Sequence, residues 1–132
     1  MPNPFRILIA DDHADSRELY AFALRRFGFE PIIAADGEEA LAKAFEHLPT
    51  VATLDLRMPN FDGFDVIKRL RAAPTTQSIF AIALSGDHTA KERALAAGFD
   101  DFCLKPCTPD EVVKKILHFA LPLATAAERS HS

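Results

Sequence analysis

Short apolar runs along the chain alternate with stretches whose apolar residues recur every three or four positions. FRILIA (5–10) is the first run; it ends on two acids and predicts a buried strand. From Ala14 to Phe27, the residues Leu19, Phe22, Ala23 and Phe27 are spaced for one helical face, with Gly28 just past the end. EPIIAA (30–35) predicts a second strand. Gly37 to Leu48 predicts a helix with Ala40, Leu41, Ala44, Phe45 and Leu48 on one side, closed by Pro49. TVATLD (50–55) is a third strand, followed by a helix over Gly63–Ala73 with Phe64, Ile67 and Leu70 inward. SIFAIALS (78–85) is the most continuously apolar segment, as a central parallel strand should be. HTAKERALAAG (88–98) predicts a helix stopped at Gly98, and DDFCLK (100–105) a fifth strand. Thr108, Pro109 and Glu111 then predict an N-cap, a first helical residue and a capping box. That last helix reads to about Ala120, with Val113, Ile116, Leu117 and Ala120 on one face.

Strand followed by helix, five times over, implies an α/β fold: a doubly wound parallel sheet with helices on both faces and right-handed crossovers. After Leu121-Pro122 the segment LATAAERSHS has no core pattern and reads as a frayed tail. The expected organisation is one domain over residues 1–121 and a tail over 122–132.

Composition narrows the function classes. The chain of 132 residues fits one domain, and 48% apolar residues suffice for a single core. No segment is apolar for the 18 or so residues of a membrane span, and MPNPF lacks a basic region followed by an apolar run. A cytoplasmic location is expected. The net charge of -4 does not suggest nucleic acid as a partner. Cys103 and Cys107 are four apart, which is not a CxxC spacing, and read as reduced thiols rather than a disulfide or metal site. The histidines are scattered, so no zinc site is expected.

The polar residues at the strand ends carry the candidate chemistry. In an open parallel α/β sheet, ligands bind outside the carboxyl ends of the strands. Here the first strand ends in Asp11-Asp12, the third in Asp55, the fourth in Ser85 and the fifth in Lys105-Pro106, all on one sheet edge. Three carboxylates gathered there raise one another's pKa unless a cation intervenes, and a hard divalent ion such as Mg2+ suits them. Lys105 offers a point charge to an anion and Ser85 a hydrogen bond. A carboxylate with a divalent ion, a lysine and a hydroxyl is equipment for phosphoryl transfer. Asp55 is the most central acid and the candidate acceptor, as an aspartyl phosphate. Asp62 and Asp65 fall in the following loop and helix and read as solvated, as does the run KRLR (68–71). His13, next to the acid pair, reads as a rim residue rather than a ligand.

The chain resembles the receiver domain of two-component response regulators over about residues 5–120. The resemblance rests on ADD (10–12), LDLRMPNFDG (54–63), LSG (84–86) and KP (105–106), in that order and each after a predicted strand. It implies a flavodoxin-like fold of five strands in the order 2-1-3-4-5 with five helices. It further implies that Asp55 accepts a phosphoryl group from a histidine kinase or histidine phosphotransfer protein. Asp11 and Asp12 would hold Mg2+ with Asp55 and the backbone carbonyl of Arg57. Lys105 would pair with Asp55 and then with the phosphoryl group, Ser85 would move to bind that group, and Phe102 would be the aromatic switch, swinging inward. Lys105-Pro106 would be cis, and Met58-Pro59 and Gly63 match the loop after the acceptor. The surface of the fourth helix, fifth strand and fifth helix, with Lys91, Phe102, Lys114 and Lys115, would then regulate a downstream protein. The resemblance implies a signalling switch that promotes its own phosphorylation and autodephosphorylation rather than an enzyme. A phosphorylation-dependent homodimer fits it, and no nucleic acid or membrane partner is expected. The chain would be either a stand-alone receiver or a domain cut from a longer regulator or hybrid kinase, and the start MPNPFRILIADD favours a receiver at the true N-terminus.

Two positions depart from the median family member. Arg57 lies two after the acceptor and Asp87 two after the switch hydroxyl. Their opposite charges suggest a pair across the mouth that hinders the water hydrolysing the aspartyl phosphate; the bland alternative is two solvated loop charges. Arg57 also counts against a haloacid-dehalogenase-like phosphatase, which needs an acid there. A calcium loop starting at Asn60 fails, because Asp65 stands where Gly is needed and Arg71 where Glu is needed. A receiver that only docks partners ranks low, since every family position is filled.

Overall fold

A computed structural model describes the backbone of residues 5–130 and the side-chain surroundings of residues 5–119. The strands are β1 (Arg6–Ala10), β2 (Glu30–Ala34), β3 (Val51–Asp55), β4 (Phe80–Ser85) and β5 (Asp101–Leu104). The helices are α1 (Ala14–Arg26), α2 (Gly37–His47), α3 (Gly63–Ala72), α4 (Lys91–Ala97) and α5 (Pro109–Ser130), with a 3-10 turn at His88–Ala90 before α4. All strands pair in parallel, in the order β2-β1-β3-β4-β5, as the resemblance implies.

Successive strand residues alternate between two cores. Ile7 and Ile9 of β1 pack with Tyr20, Ala21 and Leu24 of α1 and Val112, Val113 and Ile116 of α5. Leu8 and Ala10 face the opposite way, toward Ala40 and Ala44 of α2, Val66, Ile67 and Leu70 of α3 and Ala94 of α4. Both faces of the sheet are therefore covered, which is why its strands are continuous apolar runs. Each fully buried Ile or Leu contributes about 1.5–3 kcal/mol over leaving it exposed.

The helix faces correct the reading from spacing in α1. Tyr20, Ala21 and Leu24 face the core, while Leu19, Phe22 and Phe27 stand 58%, 60% and 54% exposed. The two stripes have similar spacing, so periodicity alone cannot choose between them. Tyr20 goes inward because its hydroxyl finds the carbonyl of Cys107 there. Phe45 of α2 and Leu48 just past its end are likewise exposed.

Two polar features also differ from expectation. Arg71 is not part of a solvated face: its guanidinium donates to the carbonyls of Gly98 (2.9 Å), Gln77 (2.8 Å) and Ile79 (2.7 Å) and to Asp100 Oδ2 (2.8 Å). It ties α3 to the segments around β4 and β5, using the planar fork of donors that only arginine has. Asp62 and Asp65, though at the surface, form a reciprocal capping box that starts α3. Thr108 and Glu111 form the predicted box at the start of α5.

Cys103 and Cys107 form a disulfide rather than two thiols. Five residues of extended chain would hold their Cα atoms roughly 13 Å apart. The chain instead reverses after β5 and brings them to 6.1 Å, within disulfide range and inside the α1/α5 core. Close approach explains two glycines. A Cβ on Gly63 would sit 2.7 Å from the Asp55 carbonyl oxygen, and one on Gly37 would overlap the Phe61 carbonyl. Helix α5 extends past the expected boundary near Ala120; the packing of Ala120 and of the tail expected at 122–132 lies outside the described residues. No described helix is long and apolar enough to cross a membrane.

Candidate functional site

The carboxyl ends of β1, β3 and β5 converge on one pair of buried acids and one lysine. Asp11 is fully buried. Its Oδ1 accepts the His13 backbone N–H at 2.9 Å, and its carbonyl accepts Arg17 Nη1 at 2.8 Å, fixing the start of α1 to the end of β1. Asp11 Oδ2 is buried with no hydrogen-bond partner. Asp55, 3% exposed, accepts the Arg57 N–H at 3.0 Å on Oδ1 and Lys105 Nζ at 2.6 Å on Oδ2. Lys105 Nζ also lies 3.8 Å from Asp11 Oδ2. The Lys105 N–H donates to the Ser85 carbonyl at 2.7 Å, which anchors the lysine to the end of β4.

Burial pushes the Asp55 carboxyl above its ordinary value, against the Lys105 hydrogen bond and the Arg57 N–H. Burial would lower Lys105, but the hydrogen bond to Asp55 and the charges of Asp55 and Asp11 outweigh it and hold the ammonium above its ordinary value. The causes differ: burial raises Asp55 and pairing with Asp55 raises Lys105, while the charge of Asp11 adds a smaller upward push to both. Burial, then the Asp11 charge, raises the nearby Tyr20 hydroxyl in the same sense.

Asp12, His13, Asp55, Arg57, Gly86, Asp87 and Lys105 line the open cleft above this pair. The residues fit a hard cation. Asp11, Asp12, His13 and Asp55 each bring a ligand atom within 4.8 Å of the others, and the unpartnered Asp11 Oδ2 is the kind of buried oxygen a cation satisfies. His13 stands at the rim of this cleft, as its place after the acid pair implies, with Nδ1 3.0 Å from Asp12 Oδ1 and 3.4 Å from Asp11 Oδ1.

Ser85 is buried, and its hydroxyl oxygen accepts the Asp87 N–H at 3.0 Å. Phe102 already stands inward, 9% exposed, in the core that contains Ala90 and Ala94. Lys105-Pro106 is cis, as the resemblance implies. Arg57 and Asp87 share the cleft rim, but the expected pair between them is not made. Asp87 Oδ1 accepts the Thr89 N–H at 2.9 Å and hydroxyl at 2.6 Å, and Oδ2 lies 3.4 Å from Arg93 Nη2. Those Thr89 bonds hold the Asp87 carboxyl below its ordinary range. A carboxylate two residues from its donors orders less chain than a reach across the cleft, so the local turn wins. Of the lysines expected on the α4, β5 and α5 surface, Lys115 is engaged by Asp101 at 3.2 Å. A second cluster, Cys103, Cys107 and Glu111, has its sulfurs committed to the disulfide.

Comparison with known proteins agrees with this arrangement. The response regulator receiver domain family matches residues 7–117. An uncharacterized protein of Leptolyngbya boryana is 35% identical over 117 residues, 87% of this chain and 89% of its own length. The alkaline phosphatase synthesis transcriptional regulatory protein PhoP of Bacillus subtilis is 36% identical over 126 residues, 93% of this chain and 52% of the regulator. The chain thus spans about half the length of the transcriptional regulators it matches. Among solved structures, a putative response regulator from Chloroflexus aurantiacus superposes with a TM-score of 0.82 at 35% identity, over 88% of this chain and 97% of that one. The chemotaxis response regulator CheY4 of Vibrio cholerae gives 0.82 at 28% identity, over 88% and 98%. With the strand order, the strand-end acids and the cis Lys105-Pro106 all in place, the chain belongs to the response regulator receiver domain family.

Proposed function

We propose that the chain is a phospho-acceptor switch of a two-component phosphorelay, with Asp55 as the acceptor. The observation that carries this reading is the part-buried Asp55–Lys105 pair beside the unpartnered Asp11 Oδ2, a group short of positive charge at the mouth of an open cleft. Asp11, Asp12, Asp55 and the backbone carbonyl of Arg57 would hold Mg2+. When bound, the ion supplies charge neutralisation for the incoming phosphoryl group.

The chain's own residues do the rest. The Arg57 N–H and Lys105 hold the two Asp55 oxygens, so the carboxylate is oriented before the donor arrives. An Asp55 oxygen forms the new P–O bond as the donor's bond to phosphorus breaks: P–N in a histidine kinase or phosphotransfer protein, P–O in acetyl phosphate. Lys105 then passes from the carboxylate to the phosphoryl oxygens as a fixed point charge. Ser85 is one residue from the cleft-lining Gly86, and its hydroxyl would exchange the Asp87 N–H for a phosphoryl oxygen. That exchange would loosen the turn from Asp87 to Ala90 that Asp87 caps, and with it α4.

In this reading the domain is a cytoplasmic signalling module that binds a downstream protein through α4, β5 and α5. Phe102, 9% exposed in the core that holds Ala90 and Ala94, would be the aromatic residue of the switch. The test is a titration with beryllofluoride and Mg2+, followed through backbone amide resonances. Ser85, Asp87, Thr89, Phe102 and α4 are expected to shift in the parent and to stay still in Asp55→Asn. Equal spectra for the two proteins would overturn the switch and leave a module that only docks partners.

A further inference from the structure

We infer that His13 is a nitrogen ligand of the cation site and biases it toward divalent transition-metal ions, with Mn2+ as the probe, over Mg2+. The inference rests on the cation site proposed above and adds a residue to it. His13 Nδ1 is 3.0 Å from Asp12 Oδ1 and 3.4 Å from Asp11 Oδ1. Ligand atoms of Asp11, Asp12, His13 and Asp55 lie within 4.8 Å of one another, near the roughly 4 Å that separates opposite ligands on one small ion. The buried, unpartnered Asp11 Oδ2 independently marks the place as short of a cation.

The backbone of His13 is held on both sides. Its N–H donates to Asp11 Oδ1 at 2.9 Å, and its carbonyl accepts the Arg17 N–H at 3.1 Å. The polar contacts of the ring are with the two acids of the site. His13 occupies the N-cap of α1, a position favouring Ser, Thr, Asp or Asn, yet its side chain makes no capping bond. The imidazole is 72% exposed, so it can turn toward an ion without leaving a core. If it served only as a partner for Asp12, the exposed pair would contribute little. Mg2+ is satisfied by carboxylates, carbonyls and water, whereas an imidazole nitrogen suits transition ions, and Mn2+, the first and weakest of that series, still gains more from a nitrogen than Mg2+ does. One nitrogen among oxygens therefore changes selectivity more than overall capacity.

The test uses the whole unphosphorylated chain, with Mg2+ and Mn2+ as the only probes. Competition titration gives the ratio of the two affinities, and electron spin echo spectra of bound Mn2+ show whether a nitrogen is directly coordinated. The variant is His13→Asn, which keeps a good N-cap and an oxygen donor, with Asp12→Ala as the control for the site. The parent is expected to show nitrogen modulation, and the variant to lose it while still binding Mg2+. The Mn2+/Mg2+ ratio is expected to fall about tenfold, the lower end of what losing a supporting group costs a metal site. An unchanged ratio together with no nitrogen modulation in the parent overturns the role of His13 and leaves the cation site standing. Affinities that do not respond to Asp12→Ala overturn the cation site itself.

Discussion

Lys105 Nζ stands 2.6 Å from Asp55 Oδ2 and at the same time 3.8 Å from the unpartnered Oδ2 of Asp11. One ammonium thus serves two buried carboxylates from different strands. Such a group is costly to fold without a further cation, because each buried charge loses its hydration and only part is returned by pairing. The imbalance makes the site receptive to a divalent ion, and it sets the expectations below.

Removing the ammonium should expose the imbalance as lost stability. Lys105→Ala leaves two buried acids facing each other and is expected to cost about 2 kcal/mol at pH 7, below the value for a fully enclosed pair because the lysine side chain is 29% exposed. Urea unfolding with and without Mg2+ measures it. Millimolar Mg2+ should recover more stability in the variant than in the parent.

The raised Asp55 pKa fixes the direction of a pH effect. The folded protein holds that proton more tightly than the unfolded chain does, so the associated stability is present at low pH. It is lost as pH rises from the unfolded carboxyl value, near 4, through the raised folded value. At neutral pH the ionised Asp55 is therefore a cost. Asp55→Asn is expected to be more stable than the parent by about 1 kcal/mol at pH 7, with the difference closing near pH 4. The raised Lys105 pKa acts in the alkaline range: its stability is present below the unfolded lysine value and lost as pH rises through the folded one. Asp55→Asn should weaken that alkaline loss. Thermal melts across the pH range check both parts.

Arg71 offers a test of packing away from the site. Its guanidinium satisfies the carbonyls of Gly98, Gln77 and Ile79 and pairs with Asp100, which also accepts the Ala81 N–H. Arg71→Ala leaves those acceptors without their donor and is expected to cost about 2–3 kcal/mol. Arg71→Lys should recover less than half, since an ammonium cannot reproduce the fork. Chemical denaturation of the two variants decides it.

Asp87 is committed to Thr89 and Arg93, so Arg57 and Asp87 should act independently. Arg57→Ala and Asp87→Ala are each free to change the lifetime of the phosphoryl group, but their effects should add within about 0.5 kcal/mol in a double-mutant cycle. A larger coupling would restore the pair across the cleft. Decay of the phosphorylated fraction in the four proteins supplies the measurement.

Much of this was legible in the chain, for reasons that particular residues make plain. Ile7 through Ala10 and Ala81 through Leu84 are buried on both faces of the sheet, so burial wrote itself as continuous apolar runs. Asp11, Asp55 and Lys105 are strand-end residues, and parallel strands carry their ends to one edge. What stayed hidden depends on partners distant along the chain. Tyr20 displaced Leu19 and Phe22 from the core because a carbonyl 87 residues away receives its hydroxyl. Arg71 looked solvated because its acceptors are mostly backbone carbonyls, which carry no signature in the sequence. Cys103 and Cys107 looked independent because only the reversal of the chain after β5 brings them together. Arg57 and Asp87 could be read from charge either as a pair or as two solvated residues, and neither reading weighs the shorter reach of Asp87 to Thr89.

The central claim is that Asp55 is the phosphoryl acceptor. Incubation of the chain with acetyl phosphate and Mg2+, followed by intact-mass measurement and peptide mapping, tests it most directly. The account predicts the gain of one phosphoryl group on the peptide containing Asp55, labile to base and hydroxylamine as an acyl phosphate is, and its absence in Asp55→Asn. A gain located on any other residue, or equal gains in parent and variant, would contradict it.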